Sequence, residues 1–380
     1  MGRIPFVTLA FTAANLVVFL LARRAGAIDT GTLLDYGAKA GPLLHDLGQT
    51  WRLLSANFVH RDWAHIGFNL FVLFHFGAAV ENAYRRLDYL IVLLASALGT
   101  TLLSWAMTDA VSAGASGIGY GMLGAAVVFG VRYRRILPDR YRSVLGGAVL
   151  PTVLVFLYIG WISTGVDNWG HVGGLAAGAV ATLAFRPRLL GDPPAARALV
   201  LRRLAPLAVV LATLVGGEWI LGGMLPRMVP VHSDRLGVDL LLPAHWHQRD
   251  EMVFDNGMTQ PGLASFAAGI RAFDPAPDLE AASSEFMERE LRPQIEAGRI
   301  RNLDARPPRA VRVAGVTGVA RDASFLAEDD TEMTITAYLF EKGGRLYDVV
   351  VSRPARLAGY DRVFARIIGS LRVRDPGDGR

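Results

Sequence analysis

Gly114-Ala115-Ser116-Gly117 opens an apolar run that continues to Val131. A serine at the start of a helix lies beside backbone N–H groups that no preceding turn takes up, at the positive end of the helix dipole. Glycines at 114 and 117 allow close backbone approach and unusual φ angles. Taken alone, the stretch reads first as an ordinary serine cap beside packing glycines. What decides it lies downstream. His171, in Gly170-His171-Val172-Gly173-Gly174, opens a second apolar run. Gly170, Gly174 and Gly178 recur every four residues, as do Gly117, Gly121 and Ala125. Two small-residue faces of the same spacing let two membrane helices meet closely. If these faces meet, Ser116 and His171 come together at one depth.

The composition supports a membrane setting. The chain has 380 residues, enough for two or three domains, and is 52% hydrophobic. Its mean hydropathy is +0.32. The apolar residues concentrate in the first part, in runs of about 17–22, the length that crosses a bilayer. After about Pro230 the composition becomes that of a water-soluble domain. Cysteine is absent, which excludes a cysteine nucleophile, thiolate metal sites and disulfides. The net charge of +5 comes almost entirely from arginine, since Lys39 and Lys342 are the only lysines. No aromatic-basic module accompanies it, so nucleic acid is not an expected partner.

The expected spans are Phe6 to Leu21, His65 to Ala83, Tyr89 to Met107, Gly117 to Val131, Val144 to Ser163, His171 to Phe185 and Leu204 to Leu225. The first is read as an uncleaved helix, although Ala25-Gly26-Ala27 mimics a signal-peptide cleavage site. Pro151 predicts a kink in the fifth. The long connection from Ala25 to Asn57 ends in Trp51-Arg52-Leu53-Leu54, which suits the membrane interface. Arginines follow spans two, four and six (Arg85-Arg86; Arg132, Arg134, Arg135, Arg140, Arg142; Arg186, Arg188, Arg197, Arg202, Arg203), and the loops after three and five carry none. The positive-inside rule then makes the amino terminus cytoplasmic and puts Ser116 and His171 toward the extracytoplasmic side, with the tail outside after a seventh span. Arg23-Arg24 conflicts locally with this orientation and is outvoted by the later loops.

The expected domains are a membrane core over 1–190, a cytoplasmic linker and seventh span over 191–229, and a soluble α+β domain over 230–380. In the tail, Val238 to Leu242 and Val311 to Val319 read as strands. Glu332 to Glu341 and Leu346 to Val351 read as a hairpin turned at Lys342-Gly343-Gly344-Arg345. Pro261 to Ala272, Ala282 to Gly298 and Tyr360 to Leu371 read as helices. His245 and His247 lack the further ligands a metal site needs.

Polar residues on apolar spans need partners. His65 and Asn69, four apart, share a helix face and could supply hydrogen bonds to an oxyanion or simply tie helices together. His60 lies off that face and is expected near the interface, paired with Glu81. His75 is expected to pack or bond internally.

Together these pieces resemble the rhomboid intramembrane serine proteases. The likeness rests on Trp51-Arg52, the series His60, His65 and Asn69, Gly-Ala-Ser-Gly with Tyr120, and Gly170-His171 with Gly173, Gly174 and Gly178. It covers roughly residues 1 to 190. The resemblance implies an all-α polytopic fold of six core helices plus a seventh. It implies Ser116 as nucleophile and His171 as general base, without a third acidic residue. It further implies an oxyanion hole of His65, Asn69 and the Ser116 N–H, with Tyr120 stacked on the histidine ring and Gly114, Gly117 and His60 in support. No metal or cofactor is required. The implied partners are the lipid bilayer and transmembrane protein substrates. The tail, from Leu240 through Trp246 and near Tyr347, faintly resembles PsbP-like domains, and an envelope ligand is a further expectation for it. The rival reading keeps the fold but only binds transmembrane helices, without cutting them. Arginine-rich, lysine-poor usage suggests a GC-rich bacterium, hence its inner membrane.

Overall fold

The computed structural model describes residues 3–24, 26–135, 145, 149–188, 208, 227–258, 265–271 and 278–374. The chain forms two compact units, one of Met1–Leu44 and Gly48–Gly223, the other of His45–Leu47 and Met224–Arg380.

In the first unit, α1 (Phe6–Arg23) is followed by three short helices, α2 (Thr30–Asp35), α3 (Gly41–His45) and α4 (Arg52–Ser55). The second span is α5 (Trp63–Val72), a π-helical turn at Leu73–Gly77 and α6 (Ala78–Ala83). Then come α7 (Arg86–Met107), α8 (Ser116–Arg132), α9 (Leu150–Ile162) and α10 (Asn168–Leu183). By length and composition Phe6–Arg23, Trp63–Ala83 and Arg86–Met107 can cross a membrane, and Ser116–Arg132 and Leu150–Ile162 are shorter apolar helices. Pro151 does not kink the fifth span: it occupies the first turn of α9, where its missing N–H costs no helical bond. The expected seventh span lies outside the described residues except for position 208, as do Arg140, Arg142, Arg197, Arg202 and Arg203.

Helices α7, α8 and α10 form the centre. Helix α8 is buried over most of its length and carries five glycines, Gly117, Gly119, Gly121, Gly124 and Gly130, with only one charged residue, Arg132. A Cβ on Gly174 would strike the Gly117 carbonyl, and one on Gly178 would strike Gly121. A Cβ on Gly173 would strike Gly99 of α7. The helices therefore meet backbone to backbone, as their small residues predict. Gly170 departs from the expected ladder, facing Asp167 and Thr100 instead. Hydroxyls buried in this core close onto carbonyls one turn back: Ser96 onto Val92, Thr100 onto Ser96, Thr182 onto Gly178. That satisfies them where water is absent.

The start of α1 is held by Glu81, whose carboxylate accepts the N–H groups of Val7 and Thr8 and the Thr8 hydroxyl at 3.1, 2.9 and 2.8 Å. Two of the four orphan donors of that helix end are met this way. Glu81 is thus committed to α1 and does not pair with His60. The first loop closes on Arg52, whose guanidinium lies over Trp51 and donates to the carbonyls of Leu34 and Ala38.

The second unit holds two antiparallel sheets. One has the order β1 (Met228–Ser233), β2 (Val238–Pro243), β11 (Arg372–Val373). The larger runs β3 (His247–Asp250), β4 (Val253–Asp255), β5 (Ser265–Arg271), β10 (Arg345–Pro354), β9 (Glu332–Lys342), β8 (Val316–Ala327), β6 (Ile300–Ala305), with β7 (Arg309–Val313) also on β8. Helix α11 (Leu279–Glu296) covers it, burying Phe286, Met287 and Leu291 against Ala337, Leu339 and Leu346. Helix α12 (Tyr360–Ser370) packs its apolar face on β2. Two expectations fail here. Residues 265–271 form a strand, not part of a helix, because they pair along their length with β10. The stretch Val311 to Val319 is two strands, broken at Ala314 and Gly315, both at positive φ.

Candidate active site

Ser116 is the first residue of α8, and His171 lies in the first turn of α10. The close approach of those helices puts Ser116 Oγ 2.9 Å from His171 Nε2. Tyr120, one turn beyond Ser116, stacks on the imidazole with ring centroids 4.3 Å apart and planes 21° apart. The ring is thereby held on one face.

The chain enters α8 through Gly114, at φ +123°, where an L side chain is strained. A Cβ there would also lie 2.7 Å from His65 Nε2 and 3.2 Å from Asn69 Nδ2. Those two side chains thus converge on a small hollow beside Ser116, and Asn69 Nδ2 is buried with no hydrogen-bond partner. The Ser116 N–H, in the first turn of α8, has no preceding helical carbonyl to take it. Three potential donors therefore surround a space that only a glycine leaves open. Asp62 caps α5 through the His65 N–H at 2.8 Å and so fixes where His65 begins.

His60 sits in the turn before α5, fully buried, and its Nε2 accepts the Ala115 N–H at 3.2 Å. Gly114 donates to the Ala56 carbonyl at 2.9 Å. His60 thus anchors the loop that leads into Ser116, in place of the expected pairing with Glu81. Burial pushes the His60 imidazole down to about 3, with His65 adding to the shift and the Phe58 carbonyl and Asp62 opposing it. His60 accordingly stays neutral, as an acceptor must.

Several residues absent from the sequence reading complete the site. Asp167 caps α10 through the Gly170 N–H at 2.9 Å, and its other oxygen accepts the Ser104 hydroxyl at 2.5 Å. An Asp-Asn pair before an apolar run is a helix-start signal that points to this cap. Lys39, fully buried in the first loop, donates to the Thr108 carbonyl at 2.7 Å. Burial lowers its amine to about 8, against the pull of Asp167 and Asp109. Asn168 donates to the Gly160 carbonyl at 3.0 Å and ties α10 to α9. His75, expected to pack or bond internally, packs its ring against Phe71 and Phe76 on an exposed part of the helix surface. A cavity of about 460 Å³ opens over Ser116 and His171, and is also lined by His65, Asn69, Phe68 and Phe156.

Residues 47–188 match the family model described as Rhomboid domain. Over that stretch the chain is similar to rhomboid domains. It is 32% identical over 184 residues to the rhomboid protease GluP of Bacillus subtilis, covering 48% of this chain and 35% of that one. To the rhomboid protease GlpG of Pectobacterium atrosepticum it is 30% identical over 179 residues, covering 45% of this chain and 60% of the other. The chain thus spans between about a third and two thirds of the length of these two curated relatives. With its apolar helices it is a multi-pass integral membrane protein. Among solved structures it is similar to cyanobacterial PsbP from Synechocystis, with 15% identity, 38% of this chain and 92% of that one covered, and a TM-score of 0.32. A likeness of that size carries no argument about function.

Proposed function

We propose that this rhomboid-domain protein is an intramembrane serine protease that cuts peptide bonds in or near transmembrane segments of other membrane proteins. The observation that carries the reading is the 2.9 Å approach of Ser116 Oγ to His171 Nε2 beside the Gly114 hollow. In this mechanism Ser116 Oγ attacks the scissile carbonyl carbon while His171 Nε2 takes its proton. The carbonyl oxygen becomes an oxyanion in the hollow, facing His65 Nε2, Asn69 Nδ2 and the Ser116 N–H. Collapse breaks the C–N bond, and His171 returns the proton to the leaving amine. Water, activated by the same imidazole, then releases the acyl group and restores Ser116. The residues that do this are all side chains and backbone groups of the chain itself.

A substrate helix must present its backbone to Ser116, so segments with small or helix-breaking residues near the cut are the expected substrates. The arginine pattern of the loops supports a cytoplasmic amino terminus and a site open to the extracytoplasmic side, in a bacterial inner membrane. In that orientation a seventh span carries the α+β domain outside, where an envelope ligand or substrate is within its reach.

The test is cleavage of a single-span reporter by purified protein in liposomes. Ser116→Ala and His171→Ala are each expected to abolish cleavage with folding intact, a loss of at least about a thousandfold. Cleavage by either variant at the wild-type rate would overturn the mechanism.

A further inference from the structure

When Nε2 of a neutral imidazole accepts the serine hydroxyl, the ring proton must sit on Nδ1. The Nδ1 of His171 is buried and has no hydrogen-bond partner among the described residues. Three residues earlier, on the same face of α10, Asn168 Oδ1 is likewise buried and unpartnered. The amide orientation follows from its other end: Asn168 Nδ2 donates to the Gly160 carbonyl, so Oδ1 is the free acceptor. Both orphan atoms converge on one point, the place a Gly160 Cβ would occupy, which is 2.5 Å from Asn168 Oδ1 and 3.5 Å from His171 Nδ1. An unmet donor and an unmet acceptor therefore face the same gap, and the gap is open because residue 160 is glycine.

The acid next door is otherwise engaged. Both oxygens of Asp167 are taken, one by the Gly170 N–H and one by Ser104. The other groups around the His171 ring are Ser116 and Tyr120 from α8 and His65 from α5. Tyr120 restrains the face of the ring but does not set which nitrogen carries the proton. Asn168 is the acceptor left to do so.

We propose that Asn168 is a positioning residue for His171, its Oδ1 taking the Nδ1–H across the Gly160 gap through one bridging water, so that the site works as a Ser–His pair oriented by an amide. The inference rests on the mechanism above. The proton on Nδ1 stays where it is through both half-reactions. Asn168 holds the tautomer whose Nε2 is free to take the serine proton, and it favours the imidazolium that forms when it does.

The experiment compares wild type with Asn168→Leu, Asn168→Asp and Gly160→Ala in liposomes, using the single-span reporter and recording kcat, KM and the pH profile. Asn168→Leu is expected to lower kcat by about 10- to 100-fold with KM within about twofold, the cost of a loosely held base. Gly160→Ala, which keeps both residues but fills the gap and crowds Asn168 Oδ1, is expected to do the same. Asn168→Asp keeps an acceptor and adds a negative charge, which favours the imidazolium. It is expected to retain cleavage and to move the acid limb of the profile up by about one pH unit. That shift is read on active protein, so misfolding cannot imitate it. An unshifted Asn168→Asp profile, or wild-type kcat in Gly160→Ala, overturns the proposal. Ser116→Ala, run alongside, separates the two levels. If it still cleaves, the mechanism itself fails; if it is inactive and Asn168→Asp is unshifted, only the role of Asn168 falls.

Discussion

The two sides of the site are built differently. On one side, α8 and α10 touch through glycines, with the carbonyls of Gly117 and Gly121 where side chains would otherwise stand. On the other, α9 buries only Val153 and Gly160 of its thirteen residues and leaves Leu154, Tyr158 and Trp161 largely exposed. Its side-chain ties include Phe156 edge to face with Phe68, Trp161 edge to face with Trp169, and the Asn168 bond to the Gly160 carbonyl. Backbone contact leaves no rotamer to adjust, so the glycine side fixes the distance between Ser116 and His171. The α9 side closes the cavity with flexible side chains. Under the proposed mechanism, chemistry depends on the first and access on the second.

The largest effect should come from breaking the glycine side. In Gly174→Val the new side chain would meet the Gly117 carbonyl and Thr100. Overpacking of this kind costs about 1–3 kcal/mol, and a displacement of about 1 Å costs about a hundredfold in rate. We expect cleavage to disappear and the melting temperature to fall. Cleavage within tenfold of wild type would mean that the α8–α10 contact is softer than its geometry.

Gly114→Ala sharpens the point, because it adds one methyl group to the hollow and leaves the helix contact alone. That methyl would crowd His65 Nε2 and Asn69 Nδ2, at a φ of +123°. Blocking the donors is expected to lower kcat by about 100- to 1000-fold. The strain at that φ should cost about 1–3 kcal/mol. A kcat unchanged by this substitution would remove the hollow from the mechanism.

A smaller effect, on stability, concerns the loop that feeds α8. His60 ordinarily titrates near 6.5 and in the fold only at about 3. The unfolded chain therefore takes up the proton first, and stability is full above about pH 6.5 and declines as pH falls toward 3. In His60→Gln an amide oxygen can take the Ala115 N–H without titrating. The loss of melting temperature between pH 7 and pH 4.5 should be smaller in that variant than in wild type. Equal losses would mean that His60 contributes nothing to acid sensitivity.

What could be read from the sequence divides along the same line. The glycine side was legible because helix periodicity and small residues are local facts: Gly174 against Gly117 and Gly178 against Gly121 follow from four-residue spacing. Ser116 and His171 stood out as polar groups at the starts of apolar runs. His60 was misread because helix spacing was applied to a residue that precedes the helix. Its partner, the Ala115 N–H, is 55 positions away and belongs to the backbone, which no side-chain pattern reveals. Asn168 drew no notice in the sequence, because its bond to Gly160 exists only once α9 is laid beside α10. In the soluble unit, β5 has the composition Ser-Phe-Ala-Ala-Gly-Ile-Arg, a weak strand former whose structure comes from pairing with β10. Pro151 was visible, but its effect depended on where the helix begins.

The smallest expected effect tests the α9 side itself. Tyr158 is 66% exposed on the face of α9 turned away from the core. Tyr158→Leu keeps an apolar side chain at an exposed position and creates no buried unpaired group. Surface changes of this sort stay within about 0.5 kcal/mol, so reporter cleavage should remain within about twofold of wild type. Gly160, half a turn further along the same helix, is expected to be intolerant of a single methyl group. One helix would then carry two opposite sensitivities, set by whether a residue faces His171 or the surroundings. A tenfold loss in Tyr158→Leu would break the comparison. It would mean that the outer face of α9 takes part in substrate entry, and that the loosely packed side contributes to the rate through its surface as well as through the position of Gly160.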